Sequence, residues 1–176
     1  MEVNSSKSVV HRNAYILKSL ARILFGLIWL VDAFFKFQPE FAQNLPDLIK
    51  QGATSQPSWL SSWFSFWVDV TTVNPQPWAY LIAFTELAIA ISLILGFMRK
   101  IGYLVGILTS LIIWGVPEGF GGPYGPTSTD IGTGIIYAMV FLLLIVVNDM
   151  EGPSHYSLDF YIEQKYKFWR VLAEFS

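Results

Sequence analysis

The sequence has 176 residues, of which 53% are hydrophobic and only 14% are charged, and its net charge at pH 7 is −2. Soluble domains carry about a quarter of charged residues, so this composition indicates a membrane protein. The length fits one domain, and the small negative charge gives no general attraction for nucleic acid. Because the chain has no cysteine, disulfides, iron–sulfur clusters, covalently attached c-type haem and thiol nucleophiles are excluded. His11 and His155 lie outside the apolar segments, so we expect no haem and no metal site within the helices.

Four apolar stretches approach the roughly 20 residues that a membrane-spanning helix needs. They cover about residues 15–37, 78–97, 101–116 and 131–147. Arg99 and Lys100 separate the second stretch from the third. The sequence therefore predicts an all-α membrane protein, with a four-transmembrane-helix bundle within residues 1–150 and a cytoplasmic amphipathic tail over residues 151–176.

The basic residues predict the orientation of this bundle. With four spans, nearly all of them fall on one side of the membrane, namely Lys7, Arg12, Lys18, Arg22, Arg99, Lys100, Lys165, Lys167 and Arg170. Only Lys36 and Lys50 fall on the other side. Since basic residues concentrate on the cytoplasmic side, we expect a multi-pass protein of the cell membrane with both termini in the cytoplasm.

Two further segments carry amphipathic patterns. Within residues 58–70, the apolar positions recur at helical spacing and are Trp59, Leu60, Trp63, Phe64, Trp67 and Val70. This pattern predicts a helix at the outer interface, either as an aromatic belt that anchors the bundle or as a lid over a site. In the tail, the apolar positions alternate with charges and are Leu158, Ile162, Tyr166, Trp169 and Leu172. That pattern predicts a surface helix, which lies either on the cytoplasmic leaflet or against a partner.

Five ionisable residues lie in or beside the apolar stretches, toward the predicted outer side: Asp32, Lys36, Glu86, Glu118 and Asp130. A charge in the hydrocarbon layer costs about 2.5–3.5 kcal/mol on insertion scales, so each needs a partner, a wet cavity or a function. Phe25, Trp29, Asp32 and Lys36 share one helical face, on which Asp32 and Lys36 can form an ion pair. This face is either a structural ion pair above core aromatics, or a pocket for a flat lipid-soluble ring with an acid and a base at its mouth.

Glu86 is a candidate for proton uptake and release because it lies roughly 12 Å inside the second apolar stretch, at about 1.5 Å per residue. Lys36 is the evident cation that could pair with it, and a protonated structural glutamate is the alternative. Small residues at Ala83 and Ala90 share its face and predict close helix packing. In the third stretch, Gly102, Gly106 and Ser110 form a similar ridge, which we interpret as packing.

The loop over residues 117–130 is rich in glycine but lacks the lysine of a nucleotide-binding P-loop. Residues from Thr127 to Asp130 are suitable N-caps for the fourth helix. The loop is either a structural re-entrant turn or a place where a small ligand approaches the main chain.

These patterns resemble the DoxX/DoxD superfamily, and most closely DoxD. The likeness lies in residues 22–37, in Thr85 and Glu86, in the sequence E-G-F-G-G-P-Y at 118–124 and in D-I-G-T-G-I-I-Y at 130–137. DoxD is a membrane subunit of a thiosulfate:quinone oxidoreductase. The resemblance implies a four-helix bundle that works with a second, DoxA-like subunit, oxidises thiosulfate to tetrathionate and passes electrons to membrane quinone.

The resemblance also implies roles for the candidate residues. Asp32, Lys36 and Glu86 would handle protons or contact the ligand, and Phe25 and Trp29 would line the quinone pocket. The loop that contains Glu118, Tyr124 and Asp130 would form the outer mouth of that pocket, with Tyr124 as a further quinone contact. The chain shows no redox centre of its own, so we expect a metal or cofactor on another subunit.

Two other functions are compatible with the sequence. A non-catalytic accessory subunit of a respiratory terminal oxidase would use the five charges as interface ion pairs with the oxidase subunits. A small transporter would use the carboxyls as a proton relay, but four short helices without an internal repeat or a broken span disfavour it.

Overall fold

The computed structural model describes residues 2–124, 130–152 and 154–175, with side chains given for residue 13 and for the described residues from 15 onward. Within these ranges the chain forms eight α-helices and no strand, which confirms the all-α prediction. The helices are α1 (Glu2–Lys36), α2 (Pro39–Ala53), α3 (Ser61–Val73), α4 (Pro75–Leu95), α5 (Arg99–Gly115), α6 (Thr133–Glu151), α7 (Leu158–Lys165) and α8 (Arg170–Ala173). Short 3-10 turns lie at Ser58–Leu60, Gly119–Gly121 and Lys167–Trp169.

Helices α1, α4, α5 and α6 form the bundle and correspond to the four apolar stretches. Helix α1 packs mainly on α4, and α5 packs mainly on α6. The core between them consists of Phe25, Trp29, Ile89, Ala90, Leu93, Tyr103 and Phe141. Within the described residues, α4 and α6 are the two helices long and apolar enough to cross a membrane. Helix α1 carries several charges and α5 has only 17 residues, so the four-span topology stays a prediction.

Small residues bring the helices of the bundle close together, as their spacing predicts. A β-carbon on Gly106 would lie 2.1 Å from the Phe141 ring of α6, and one on Gly102 would lie 1.9 Å from the Ser92 hydroxyl of α4. Ala83 and Ala90 are fully buried in α4. The bundle is therefore packed at distances that larger side chains would prevent.

Helices α2 and α3 form a hairpin that covers one end of the bundle. Their shared core consists of Leu45, Ile49, Phe64 and Val116, with further apolar residues of α4 and the 119–121 turn around it. Helix α3 confirms the predicted helix, with Phe64 buried and Ser62, Ser65 and Asp69 exposed. Trp59 and Trp63 of the predicted apolar face are also exposed, and the location of this helix at the membrane interface stays a prediction. The Trp63 indole donates to the carbonyl of Gly115, 2.8 Å away, and so ties α3 to the last residue of α5.

At the opposite end, Arg22 of α1 holds the end of α4. Its guanidinium is buried and donates to the carbonyl oxygens of Leu93 and Tyr156, each at 2.6 Å. The chain then turns at Gly96, which has a φ of 63° that glycine adopts without strain. A cation at this position interacts favourably with the negative end of the α4 dipole. The basic residues Arg22 and Arg99 thus lie at one end of the bundle, as the predicted orientation requires.

A buried cluster around Arg99 attaches the tail to the same end. We call it the Arg99 cluster, and it comprises Arg99, Asn148, Asp159, Glu163 and Glu174. The Arg99 guanidinium donates to Asp159 at 3.0 Å, to Asn148 at 2.9 Å and to Glu174, and it lies 3.5 Å from Glu163. Asp159 also accepts from the Arg99 backbone N–H at 2.9 Å, at the positive end of α5.

This cluster refines the prediction for the tail. The sequence predicts a surface helix, whereas the structure shows α7 and α8 packed back against the bundle through their acidic side chains. A buried arginine is stable only when carboxylates compensate it, and Asp159 and Glu174 supply them from the tail.

Gly106 provides a test of the close helix packing. Gly106→Ala is expected to lower the free energy of unfolding by about 1–3 kcal/mol, because its new β-carbon would overlap the Phe141 ring. Gly115→Ala is the matched control in the same helix, since its β-carbon would meet only the edge of the Phe120 ring, at 3.1 Å. Thermal unfolding in detergent would measure both. In a Phe141→Leu background the Gly106→Ala effect should shrink, and an unchanged loss there would contradict the packing argument.

The Arg99 cluster predicts a pH dependence of stability. Burial, to which the neighbouring Glu174 carboxylate adds, raises the pKa of Glu163 from 4.5 to about 7. Between these two pH values the folded protein keeps a proton that the unfolded chain has released. The stabilisation from that proton is therefore present at low pH and is lost as the pH rises through about 7.

We expect Glu163→Gln to reduce the loss of stability between pH 5 and pH 8, because glutamine keeps the shape of the side chain and does not titrate. Thermal unfolding midpoints across this range would be compared for the wild type, for Glu163→Gln and for an Asp149→Asn control, which changes an exposed carboxyl. Parallel pH profiles for the wild type and Glu163→Gln would contradict the assignment.

Candidate functional site

The structure brings Lys36 and Glu86 together, two of the five predicted ionisable residues. Lys36 is the last residue of α1, and the antiparallel packing of α1 on α4 places its ammonium 3.7 Å from the Glu86 carboxylate. The Glu86 side chain is 1% exposed, and that of Lys36 is 26% exposed. The prediction that Lys36 is the cation beside Glu86 is therefore confirmed.

Asp32 lies one turn before Lys36 but does not take it as an ion-pair partner. Among the described side chains, the ion pair of Lys36 is with Glu86, and no contact of 4.0 Å or less joins Lys36 to Asp32. Asp32 is half-buried and interacts electrostatically with Lys36 at longer range. The expected pair within α1 is thus replaced by a pair between α1 and α4, which compensates the more deeply buried carboxylate.

Phe25 and Trp29, predicted to line a quinone pocket, lie in a close-packed aromatic cluster beside this pair. The Phe25 ring centroid is 4.9 Å from that of Phe141 and 5.3 Å from that of Tyr137. The Trp29 ring lies 5.7 Å from both of the same rings. Both predicted residues are buried by these protein side chains, and their contact with a quinone stays a prediction.

Tyr137 connects the aromatic cluster to the carboxyls, and sequence reasoning did not select it. It is half-buried, and it interacts electrostatically with Asp32, Glu118 and Glu86. The sequence contains a pattern that indicates Tyr137, because Gly134, Tyr137 and Phe141 follow helical spacing. They lie on the face of α6 that meets α1 and α5. We define the central site as Trp29, Asp32, Lys36, Glu86 and Tyr137.

The central site contains buried polar atoms without partners. Within the described part of the chain, neither the indole nitrogen of Trp29 nor the Oε2 atom of Glu86 has a hydrogen bond. Buried polar groups are nearly always hydrogen-bonded, so these two atoms have unused hydrogen-bonding capacity, as do Trp67 Nε1, Ser110 Oγ and Glu163 Oε1 elsewhere in the described part of the chain. The Trp29 indole N–H is a hydrogen-bond donor, and the Glu86 carboxylate oxygen is an acceptor.

Glu118 is positioned by the start of α6. Its Oε2 atom accepts from the backbone N–H of Gly134 at 2.9 Å, where a carboxylate is favoured by the helix dipole. Helix α6 begins at Thr133, and its N-cap is Gly132, which has no side chain to bond the first turn. Of the predicted N-caps, Asp130 accepts from the N–H of Gly132 at 2.8 Å, and residues 127–129 lie outside the described residues.

Tyr124 and Asp130 lie apart from the central site. Both are exposed, and the Tyr124 hydroxyl donates to the carbonyl of Phe120, 2.6 Å away. Residues 125–129 lie outside the described part of the chain, so the predicted outer mouth is described only at its two ends. No group of three or more His, Cys, Asp or Glu among the described residues could hold a metal ion.

The Lys36–Glu86 pair can be tested through stability. Lys36→Met is expected to lower the free energy of unfolding by about 3 kcal/mol, because it leaves a carboxylate buried without a cation. Lys36→Met combined with Glu86→Gln should recover most of this loss. Lys50→Met is the control, since its pair with Asp47 is exposed and should contribute less than about 1 kcal/mol. Denaturant unfolding would measure the wild type, these three variants and Glu86→Gln alone, and additive losses in the double variant would contradict a direct interaction.

Comparison with known proteins identifies the family. The DoxX family profile matches residues 17–117, which include α1 from residue 17 onward, all of α2 to α5 and four of the five residues of the central site. No curated protein and no solved structure matches the chain. DoxX is a membrane family and includes subunits of thiosulfate:quinone oxidoreductase. Since the match covers more than half of the sequence, the chain belongs to the DoxX family.

Proposed function

We propose that this protein is a DoxD-like membrane subunit of a thiosulfate:quinone oxidoreductase, which passes electrons from a sulfur compound to membrane quinone. Membership of the DoxX family supports this class of function. The observation that carries the proposal is the buried Lys36–Glu86 pair beside Trp29, with Glu86 Oε2 and the Trp29 indole nitrogen both lacking a hydrogen bond.

The chemistry of quinone reduction matches these groups. Two thiosulfate ions joined by a new sulfur–sulfur bond form tetrathionate and release two electrons. A quinone takes up these two electrons and two protons to become a quinol. The Trp29 N–H can donate a hydrogen bond to one quinone carbonyl, and the Lys36–Glu86 pair can deliver a proton to it.

The quinone ring approaches from the lipid, at the edge of the central site between α1 and α6. Asp32, Lys36 and Tyr137 are only half-buried there, and exposed apolar residues such as Ile28 and Ile136 of the same two helices favour contact with lipid. The Tyr137 hydroxyl and the Asp32 carboxyl can return protons to Glu86 after each turnover. The carrier that brings the electrons belongs, in this proposal, to a DoxA-like second subunit.

The complex purified gently from native membranes would test this function. We expect a DoxA-like chain to co-elute and the complex to reduce a soluble quinone in a thiosulfate-dependent reaction. Glu86→Gln is expected to lower kcat by about 100-fold through loss of the proton donor, with less effect on the KM for quinone. Trp29→Phe, which keeps one aromatic ring and removes the pyrrole ring with its N–H, should instead raise the KM for quinone by roughly three- to tenfold.

Asp47→Asn is the matched control, since it removes an exposed carboxylate from α2 outside the central site. Thermal unfolding of each variant separates loss of activity from loss of folding. Co-elution with haem–copper oxidase subunits, with no thiosulfate-dependent activity, would contradict the proposal. It would instead support an accessory subunit of a terminal oxidase, in which the Lys36–Glu86 pair has a structural role.

A further inference from the structure

The tail has a balanced charge in sequence. Residues 154–175 contain three acidic side chains and three basic ones, so their formal charges cancel. The acidic residues are Asp159, Glu163 and Glu174, and the basic residues are Lys165, Lys167 and Arg170. A neutral segment of this kind gives no reason to expect attraction to a charged surface.

Folding separates these charges. Asp159, Glu163 and Glu174 turn inward to Arg99, and their side chains are 0%, 8% and 9% exposed. Lys165, Lys167 and Arg170 remain exposed, Arg170 at 70% even though its guanidinium lies 3.9 Å from Glu163. The outer surface of the tail is therefore cationic, although the segment as a whole is not.

The same surface presents large apolar side chains beside these cations. They are Tyr161, Tyr166, Phe168 and Val171, all well exposed, with Phe168 and Val171 at 68%. Exposed aromatics interleaved with lysine and arginine are typical of segments that lie in the headgroup region of a bilayer. We call this surface, formed by Tyr161, Lys165, Tyr166, Lys167, Phe168, Arg170 and Val171, the tail face.

We propose that the tail face docks on the anionic lipid headgroups of the leaflet at this end of the bundle. The Arg99 cluster holds the tail at the N-terminal end of α5, beside the ends of the bundle helices, where headgroups surround a membrane protein. The lipid phosphates complement the three exposed cations, while the aromatic rings occupy the headgroup–acyl boundary. This inference depends on the membrane location of the family and not on the quinone reaction.

A single fluorescent label can report this docking, because the chain has no cysteine and Val171→Cys creates a unique attachment point. The full-length protein would be placed in nanodiscs of phosphatidylcholine, with and without phosphatidylglycerol, and quenching by a headgroup spin label would be measured. We expect stronger quenching in the anionic nanodiscs. Lys165→Gln, Lys167→Gln and Arg170→Gln together should lower the ratio of docked to undocked tail by roughly 100-fold.

The matched control carries Lys165→Arg, Lys167→Arg and Arg170→Lys, which keep the three charges and should keep the quenching. High salt should weaken quenching in the wild type, since these charges are exposed. Equal quenching in neutral and anionic nanodiscs would overturn the proposal, as would shielding of the label that disappears when a co-purified protein is removed. Because the readout is the position of the label, loss of quinone reduction in a variant leaves this result unaffected.

Discussion

The buried charge of Arg99 is the constraint on which this end of the structure depends. A guanidinium out of water is stable only when carboxylates and carbonyl groups surround it. Here Asp159 and Glu174 come from the tail and Asn148 from α6, and Asn148 donates in turn to Glu174 at 2.8 Å. One side chain thereby joins α5, α6 and the tail, and it fixes where the tail can lie.

The Glu86 carboxylate in the central site is also a buried charge that needs compensating groups, and it has fewer of them than Arg99 has. Glu86 has one cation within ion-pair distance, at 3.7 Å, and one of its oxygen atoms has no hydrogen bond. The Arg99 guanidinium donates to Asp159, Asn148 and Glu174, although the Oε1 atom of Glu163 in the same cluster also has no hydrogen bond. The two sites therefore differ in the number of partners around the central charge, with three side-chain acceptors for Arg99 and one cation for Glu86.

Sequence patterns predicted the features that depend on local spacing. The four bundle helices, the α3 amphipathic helix, the Gly102–Gly106 ridge and the Lys36–Glu86 pair follow from apolar periodicity and from the scarcity of cations in the apolar stretches. Helix α2 was missed because Pro46 lies inside it, where proline disfavours a helix. The return of the tail to Arg99 and the capping of α6 by Glu118 depend on pairs distant in sequence, about which local periodicity carries no information. Tyr137 was missed because an aromatic residue at helical spacing is indistinguishable from core until its carboxyl neighbours are known.

The contact between Arg22 and Tyr156 has a consequence for the order of folding. The Arg22 guanidinium forms both of its backbone hydrogen bonds only when Leu93 and Tyr156 are present, and Tyr156 lies 134 residues after Arg22 in the chain. Ser19 and Ser154 form a second contact of this range, at 2.7 Å. During synthesis, α1 and α4 can therefore pair long before the groups that close this end of the bundle exist. The Arg22 guanidinium therefore lacks its Tyr156 acceptor until residue 156 has been synthesised.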